Sequence, residues 1–179
     1  MKSGNLTFSD TIREAMAVAL IQLMEKKPFA KITVCEIVQL AGVGRSSFYR
    51  NYQSKEDLLF SYIYSLYTDF FGRADVQRFM NGKQTVEEFL LPRFQFIKDN
   101  ADIFTNLKHH ALLNDFFVKA EGDLIVQLCG QVDDISPYYK AMFSGSCASV
   151  VRLWVERELQ ETPQEMVKLF ADFNMQALK

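Results

Sequence analysis

Thr33-x-x-Glu36, Ser54-x-x-Asp57, Thr85-x-x-Glu88 and Thr162-x-x-Glu165 each set a hydroxyl three residues ahead of an acid, at the head of an apolar periodic segment. That spacing marks the start of a helix. The hydroxyl accepts from a backbone N–H three residues on, and the acid reaches back to the residue that carries the hydroxyl. A further start at Ser136-Pro137, like Thr162-Pro163, pairs an N-cap residue with proline at the first helical position. Between these points apolar residues recur at three and four, as Ile12, Ala15, Ala19 and Leu23 do. No run of alternating β-branched residues appears, and Asn81-Gly82 falls between helical patterns rather than between strands.

The pattern predicts an all-α chain of eight or nine helices. The first runs from about Ser9 to Lys26 and stops at Pro28; short helices follow Thr33 and Gly44, and a long, largely apolar one follows Ser54. The stretch from Gly72 to Gln84 has the weakest periodicity and reads as a loop. Pro92 lies inside the helix after Thr85 and is expected to kink or divide it.

Several function classes find no support. The chain has two histidines and lacks a Gly-rich phosphate loop, a G-x-S-x-G elbow and an H-E-x-x-H pair, so no enzyme is indicated. Cys35, Cys129 and Cys147 are odd in number and widely spaced, which argues against a disulfide framework or a zinc site. His109 and His110 are adjacent and diverge by about 100° on a helix, so no metal is expected from them. No cofactor motif is present. No apolar stretch approaches the length of a membrane span, and the reading is a cytoplasmic protein that does not bind membrane.

The net charge is −2, yet it is unevenly placed. Residues 1–53 hold seven basic and four acidic side chains, whereas residues 54–179 hold 13 and 18. A basic front on an acidic body suits a protein that meets phosphate with one end. Within that front, Leu40-Ala41-Gly42-Val43-Gly44 is a tight turn between two short helices, with Gly42 free to end the first in the left-handed region. The second helix presents Arg45, Ser46 and Ser47 in its first turn, where a helix-turn-helix meets base edges. Arg suits bidentate contact with guanine, and Ser can pair with any base edge. Phe48 and Tyr52, four apart, are expected inside. Tyr49, Arg50 and Asn51 are left for the DNA backbone, and Lys55 adds a cation at the next helix start.

The stretch KITVCEIVQLAGVGRSSFYRNYQSKEDLL resembles the DNA-binding domain of the tetracycline-repressor (TetR) family of bacterial transcription regulators. The resemblance covers roughly residues 9–60. It implies a helix-turn-helix domain over residues 1–53 and a helical ligand-binding and dimerisation domain over 54–179. By position it assigns Thr33 to phosphate, Gly44, Arg45, Ser46 and Ser47 to bases, and Tyr49, Asn51 and Lys55 to the backbone. Asn51 stands where the family commonly has histidine, and Cys35 where a polar or basic residue is frequent. The segment YYKAMFSGSCASVVRLWVERELQETPQEM is similar to one branch of the family, regulators near dihydroxyacetone-kinase genes.

The resemblance implies a repressor, controlled by an unidentified small molecule, that binds an inverted-repeat operator as a homodimer. A helical adaptor that has lost effector sensing is the alternative. Aromatic and histidine side chains supply the pocket candidates: Tyr62, Tyr67, Phe70, Phe94, Phe104, His109, His110, Phe117 and Tyr139. The dimer candidates are a stripe of Ala141, Gly145, Ala148 and Arg152, with Met166, Leu169, Phe170 and Phe173 of the last helix. The helix opened by Ser54 carries Lys55 at one end and Tyr67 and Phe70 further along, and is expected to carry the signal between the two domains.

Overall fold

All four capping signatures open helices in the computed structural model, which describes residues 8–70, 73–129 and 137–177. Ten α-helices and one 3-10 turn account for the regular structure among the described residues. They are α1 (Phe8–Met24), the 3-10 turn (Phe29–Lys31), α2 (Val34–Leu40), α3 (Arg45–Asn51), α4 (Lys55–Phe70), α5 (Arg73–Met80), α6 (Val86–Asp99), α7 (Ala101–Asn106), α8 (Ala111–Cys129), α9 (Pro137–Glu156) and α10 (Pro163–Ala177). Reciprocal boxes close at Thr33/Glu36, Thr85/Glu88 and Thr162/Glu165. At α4 the Ser54 hydroxyl accepts from the Asp57 amide, but the Asp57 carboxylate reaches Gln53 instead.

The stretch expected to be a loop contains α5. Its eight residues hold four apolar side chains, Ala74, Val76, Phe79 and Met80, over barely two turns, too few to register as a period. Gly82 ends it at φ +65°, with Lys83 N bonded to Arg78 O at 2.8 Å. Asn81-Gly82 is therefore the glycine terminus of a helix. The helix expected to kink or divide at Pro92 runs through it as α6.

The chain divides into two compact units, one up to Ser65 and one from Leu66. Helix α4 begins in the first and ends in the second, whereas the sequence places the boundary ahead of this helix, at residue 53. In the first unit, α1 packs on α2 and α3. Met16, Leu20, Ile37, Phe48, Leu58 and Leu59 are fully shielded from solvent and form its centre. Burying a side chain the size of Phe48 stabilises by about 1.5–3 kcal/mol, so α3 is held by its one apolar anchor. Between α2 and α3, Gly42 takes φ +67°, Val43 N bonds Val38 O at 3.0 Å and Gly42 N bonds Gln39 O at 3.3 Å. This double bond pattern stops α2 and turns the chain into α3.

In the second unit α8 lies along α9, α10 packs on α6, and α5 packs on α6 and α8. Tyr67 meets Phe96 and Phe116 edge-on, and Phe104 stacks on Phe117 at 5.5 Å. Phe94 packs against Trp154 and Phe170. The Trp154 indole N–H donates to Glu161 O at 3.1 Å, which ties the end of α9 to the start of α10.

Candidate nucleic-acid interface

Helix α3 has one buried residue, Phe48, and turns the rest of its surface outward. Arg45, Ser46, Tyr49 and Arg50 are exposed and Ser47 is half-buried. The helix contains no acid. No side-chain hydrogen bond or ion pair engages Arg45, Ser46 or Arg50 among the described residues, so two guanidinium groups stand on a surface with no counter-charge from their own helix. The Phe48 ring packs edge-on against Tyr49 and tilts against Tyr52, which sets the helix rotation that leaves this face out. Gly44 precedes the helix at φ −80°, and a methyl group there would meet only the Ser46 hydroxyl at 3.7 Å. Nothing inside the unit therefore requires glycine at 44, unlike Gly42.

Three residues expected on phosphate have work inside the unit. Thr33 donates both its amide (2.9 Å) and its hydroxyl (2.8 Å) to the Glu36 carboxylate. Glu36 also takes the Lys27 ammonium at 2.5 Å. The Lys27 and Thr33 bonds hold its carboxyl down at about 2. Asn51 donates to Ser47 O at 2.7 Å and accepts from Arg13 Nε at 3.1 Å, so its amide joins α3 to α1. Lys55 donates to three backbone carbonyls, those of Phe29 (2.8 Å), Ala30 (3.1 Å) and Ile32 (2.8 Å). Arg13 and Lys27 were not singled out in the sequence. Their partners lie 38 and nine positions away, and neither pair falls at a helical spacing.

The expected pocket residues scatter. Phe104 and Phe117 are shielded and pack on each other and on Phe116, and Tyr67 and Phe94 are buried, so these four belong to the packed core. Tyr62 is half-buried in the first unit. His109 is exposed, and the ring Nδ1 of His110 accepts from Leu112 N at 3.2 Å, which makes it a cap for α8. The side chains of Phe70, Tyr139 and Phe173 lie outside the described residues. The polar groups that do sit inside the second unit went unnoticed in the sequence. Arg93 on α6 is buried, donates to Phe89 O at 2.6 Å and lies over the Phe89 ring. Burial pushes the Glu121 carboxyl of α8 up to about 7 against the pull of Arg93. Burial, then the Glu121 charge, pushes the Cys147 thiol of α9 up to about 12.

The expected dimer stripe also divides. Ala148 and Met166 are buried within their own unit and unavailable to a partner. Phe170 is half-buried against Phe94, and Gly145 is half-buried. Ala141 and Arg152 are exposed, Arg152 pairing with Glu156 at 2.5 Å. The most exposed apolar side chains of these two helices are Tyr138, Met142 and Leu153 on one stripe of α9, and Leu169 of α10; they are 78, 69, 54 and 56% exposed.

A short helix-turn-helix with an exposed cationic helix, followed by an all-helical second unit, defines a DNA-binding transcriptional regulator. Residues 18–62 match the family described as "Bacterial regulatory proteins, tetR family", and residues 84–176 match "Transcriptional regulator C-terminal region" (TetR_C_8). The chain belongs to the TetR family of transcriptional regulators, which act by binding DNA rather than by catalysis.

Solved structures share the fold over nearly full length. "Dihydroxyacetone kinase operon activator DhaS" aligns with TM-score 0.61 at 16% identity, over 93% of this chain and 95% of its own. The "fatty acid degradation regulator FadR from Bacillus halodurans" aligns at 0.55 and 17%, over 94% and 93%. The "TetR Family Repressor AlkX from Dietzia sp. Strain DQ12-45-1b" aligns at 0.52 and 13%, over 96% and 95%. No curated protein matches the chain. Among the described residues no helix is long and apolar enough to cross a membrane, and no three His, Cys, Asp or Glu side chains could hold a metal ion together.

Proposed function

We propose that the chain is an effector-controlled repressor that acts in the cytoplasm as a homodimer on an inverted-repeat operator. The observation that carries this reading is the α3 face, with Arg45, Ser46, Tyr49 and Arg50 exposed around the single buried anchor Phe48. Gly44, Arg45, Ser46 and Ser47 are assigned to base edges, and Tyr49 and Arg50 to the DNA backbone. One such helix reads too few bases for genomic specificity, so two copies are placed at least one DNA turn apart, about 34 Å. Repression needs only that the dimer occupy DNA that polymerase requires. One structural relative is titled an activator, and a promoter fusion with and without the protein separates the two roles.

The second copy is assigned to the Tyr138–Met142–Leu153 stripe and Leu169, an exposed apolar surface with the spacing of a helix-packing face. The effector is assigned to the second unit, where Arg93 is buried and Glu121 half-buried among apolar side chains. Mobility shift on DNA upstream of the chain's own gene, with sedimentation of the protein alone, tests the reading. Retarded bands with twofold footprints and a dimer in solution support it. A monomer that shifts no DNA would contradict it.

A further inference from the structure

Lys55 is the first residue of α4, and an ammonium group has three protons to give. All three are given to backbone carbonyls of the turn that precedes α2: Phe29 O, Ala30 O and Ile32 O, at 2.8, 3.1 and 2.8 Å. The same nitrogen lies 4.7 Å from the centre of the Phe29 ring, over its face. Phe29 and Ile32 are buried, so the turn cannot slide without disturbing the core. These carbonyls are the negative end of a short 3-10 helix, where a cation is favoured. The residue that follows them is Thr33, the N-cap of α2. One side chain therefore fastens the entry of the helix-turn-helix to the first turn of α4.

We propose that Lys55 is a positioning residue for DNA binding and does not contact phosphate itself. It holds the 29–33 turn, and with it the N-terminus of α2, at a fixed place on α4. The choice of lysine follows from the geometry. Three carbonyls converging on one point match a compact ammonium, whereas a planar guanidinium fork spreads its donors and cannot serve all three. A phosphate contact would make the opposite demand, because arginine binds phosphate at least as well.

The test uses the full chain, a random-sequence DNA duplex as probe, and the variants Lys55→Met and Lys55→Arg. Methionine keeps the apolar stem and removes the donors. In Lys55→Met, amide exchange at Lys31 and Ile32 is expected to quicken at least tenfold. Binding should weaken while the slope of log affinity against log salt stays that of the parent. Lys55→Arg should fail to restore the slow exchange. Loss of a direct phosphate contact would instead make the slope shallower by about 0.9 per subunit. That slope change with unaltered exchange, or full rescue by Lys55→Arg, overturns the proposal. A third measurement needs no variant: the Lys55 ammonium protons of the parent should give a slowly exchanging NMR signal that duplex DNA leaves in place. A signal that moves on adding DNA to the folded parent also overturns it.

Discussion

Arg13 of α1 donates through Nε to Oδ1 of Asn51, the last residue of α3, at 3.1 Å, and Asn51 passes the restraint on by donating to Ser47 O at 2.7 Å. The outward face of α3 is thus braced at its far end by a residue that the sequence places 38 positions away. Asn51→Ala removes both bonds. It is expected to lower the stability of the first unit by about 0.5–1.5 kcal/mol. Arg13→Ala should cost less, since Asn51 keeps its bond to Ser47. Chemical denaturation of both variants checks the order, and equal or reversed costs would show that the brace does not act through Asn51.

The two glycines of the turn should respond oppositely. Gly42 sits at φ +67°, so Gly42→Ala forces an alanine into the left-handed region and should destabilise by about 1–2 kcal/mol. Gly44 has an ordinary φ and room for a methyl group, so Gly44→Ala should leave the melting temperature nearly unchanged while weakening DNA binding. Thermal melts and DNA titrations on the two variants separate these roles. Unchanged DNA affinity in a stable Gly44→Ala protein would remove Gly44 from the interface.

Glu121 makes the second unit sensitive to pH. Its carboxyl is raised from 4.5 to about 7 by burial, so between these values the folded chain keeps a proton that the unfolded chain releases. Its contribution is therefore fully present below pH 4.5 and fades as pH rises through 7. At roughly 1.4 kcal/mol per unit the effect is at most about 3 kcal/mol. Glu121→Gln should flatten the dependence, gaining more relative to the parent at pH 8 than at pH 5. Calorimetric melts at the two pH values check this; an equal shift at both would place the titration elsewhere.

The α9 face offers a direct test of dimerisation. Leu153→Glu puts a charge on the exposed stripe, where it should not disturb the monomer core. Sedimentation is expected to show a shift from dimer to monomer at micromolar concentration with a normal melting profile for the isolated chain. A dimer that survives both Leu153→Glu and Met142→Glu assembles through another surface.

The helix starts could be read from the sequence because a capping box is local: Thr33 and Glu36 are three residues apart and satisfy each other. Phe48 as the inward residue of α3 was legible for the same reason, since its neighbours at 45, 46, 49 and 50 are polar. Helix α5 was hidden because eight residues give barely two turns of pattern. The internal bonds of Lys55 and Asn51 were hidden because their partners are backbone carbonyls and a distant arginine, which residue type alone does not reveal. The packing of the aromatic residues was hidden in the same way: Phe104 and Phe117 are 13 positions apart, and only the placed helices show them stacked on each other. Ala148 and Met166 share a helical stripe with exposed residues, and only the packing of α9 on α8 and α10 on α6 decides which flank is covered.

The central claim is that the exposed face of α3 reads base edges through Arg45. Binding selection from a random duplex library, run in parallel on the parent and on Arg45→Ala at fixed salt, tests it most directly. The parent is expected to recover an inverted repeat. Arg45→Ala should recover the same repeat with the preference lost at one base pair in each half-site and with affinity lower by about 1–3 kcal/mol per contact. Recovery of an identical motif at identical affinity by Arg45→Ala would contradict the assignment.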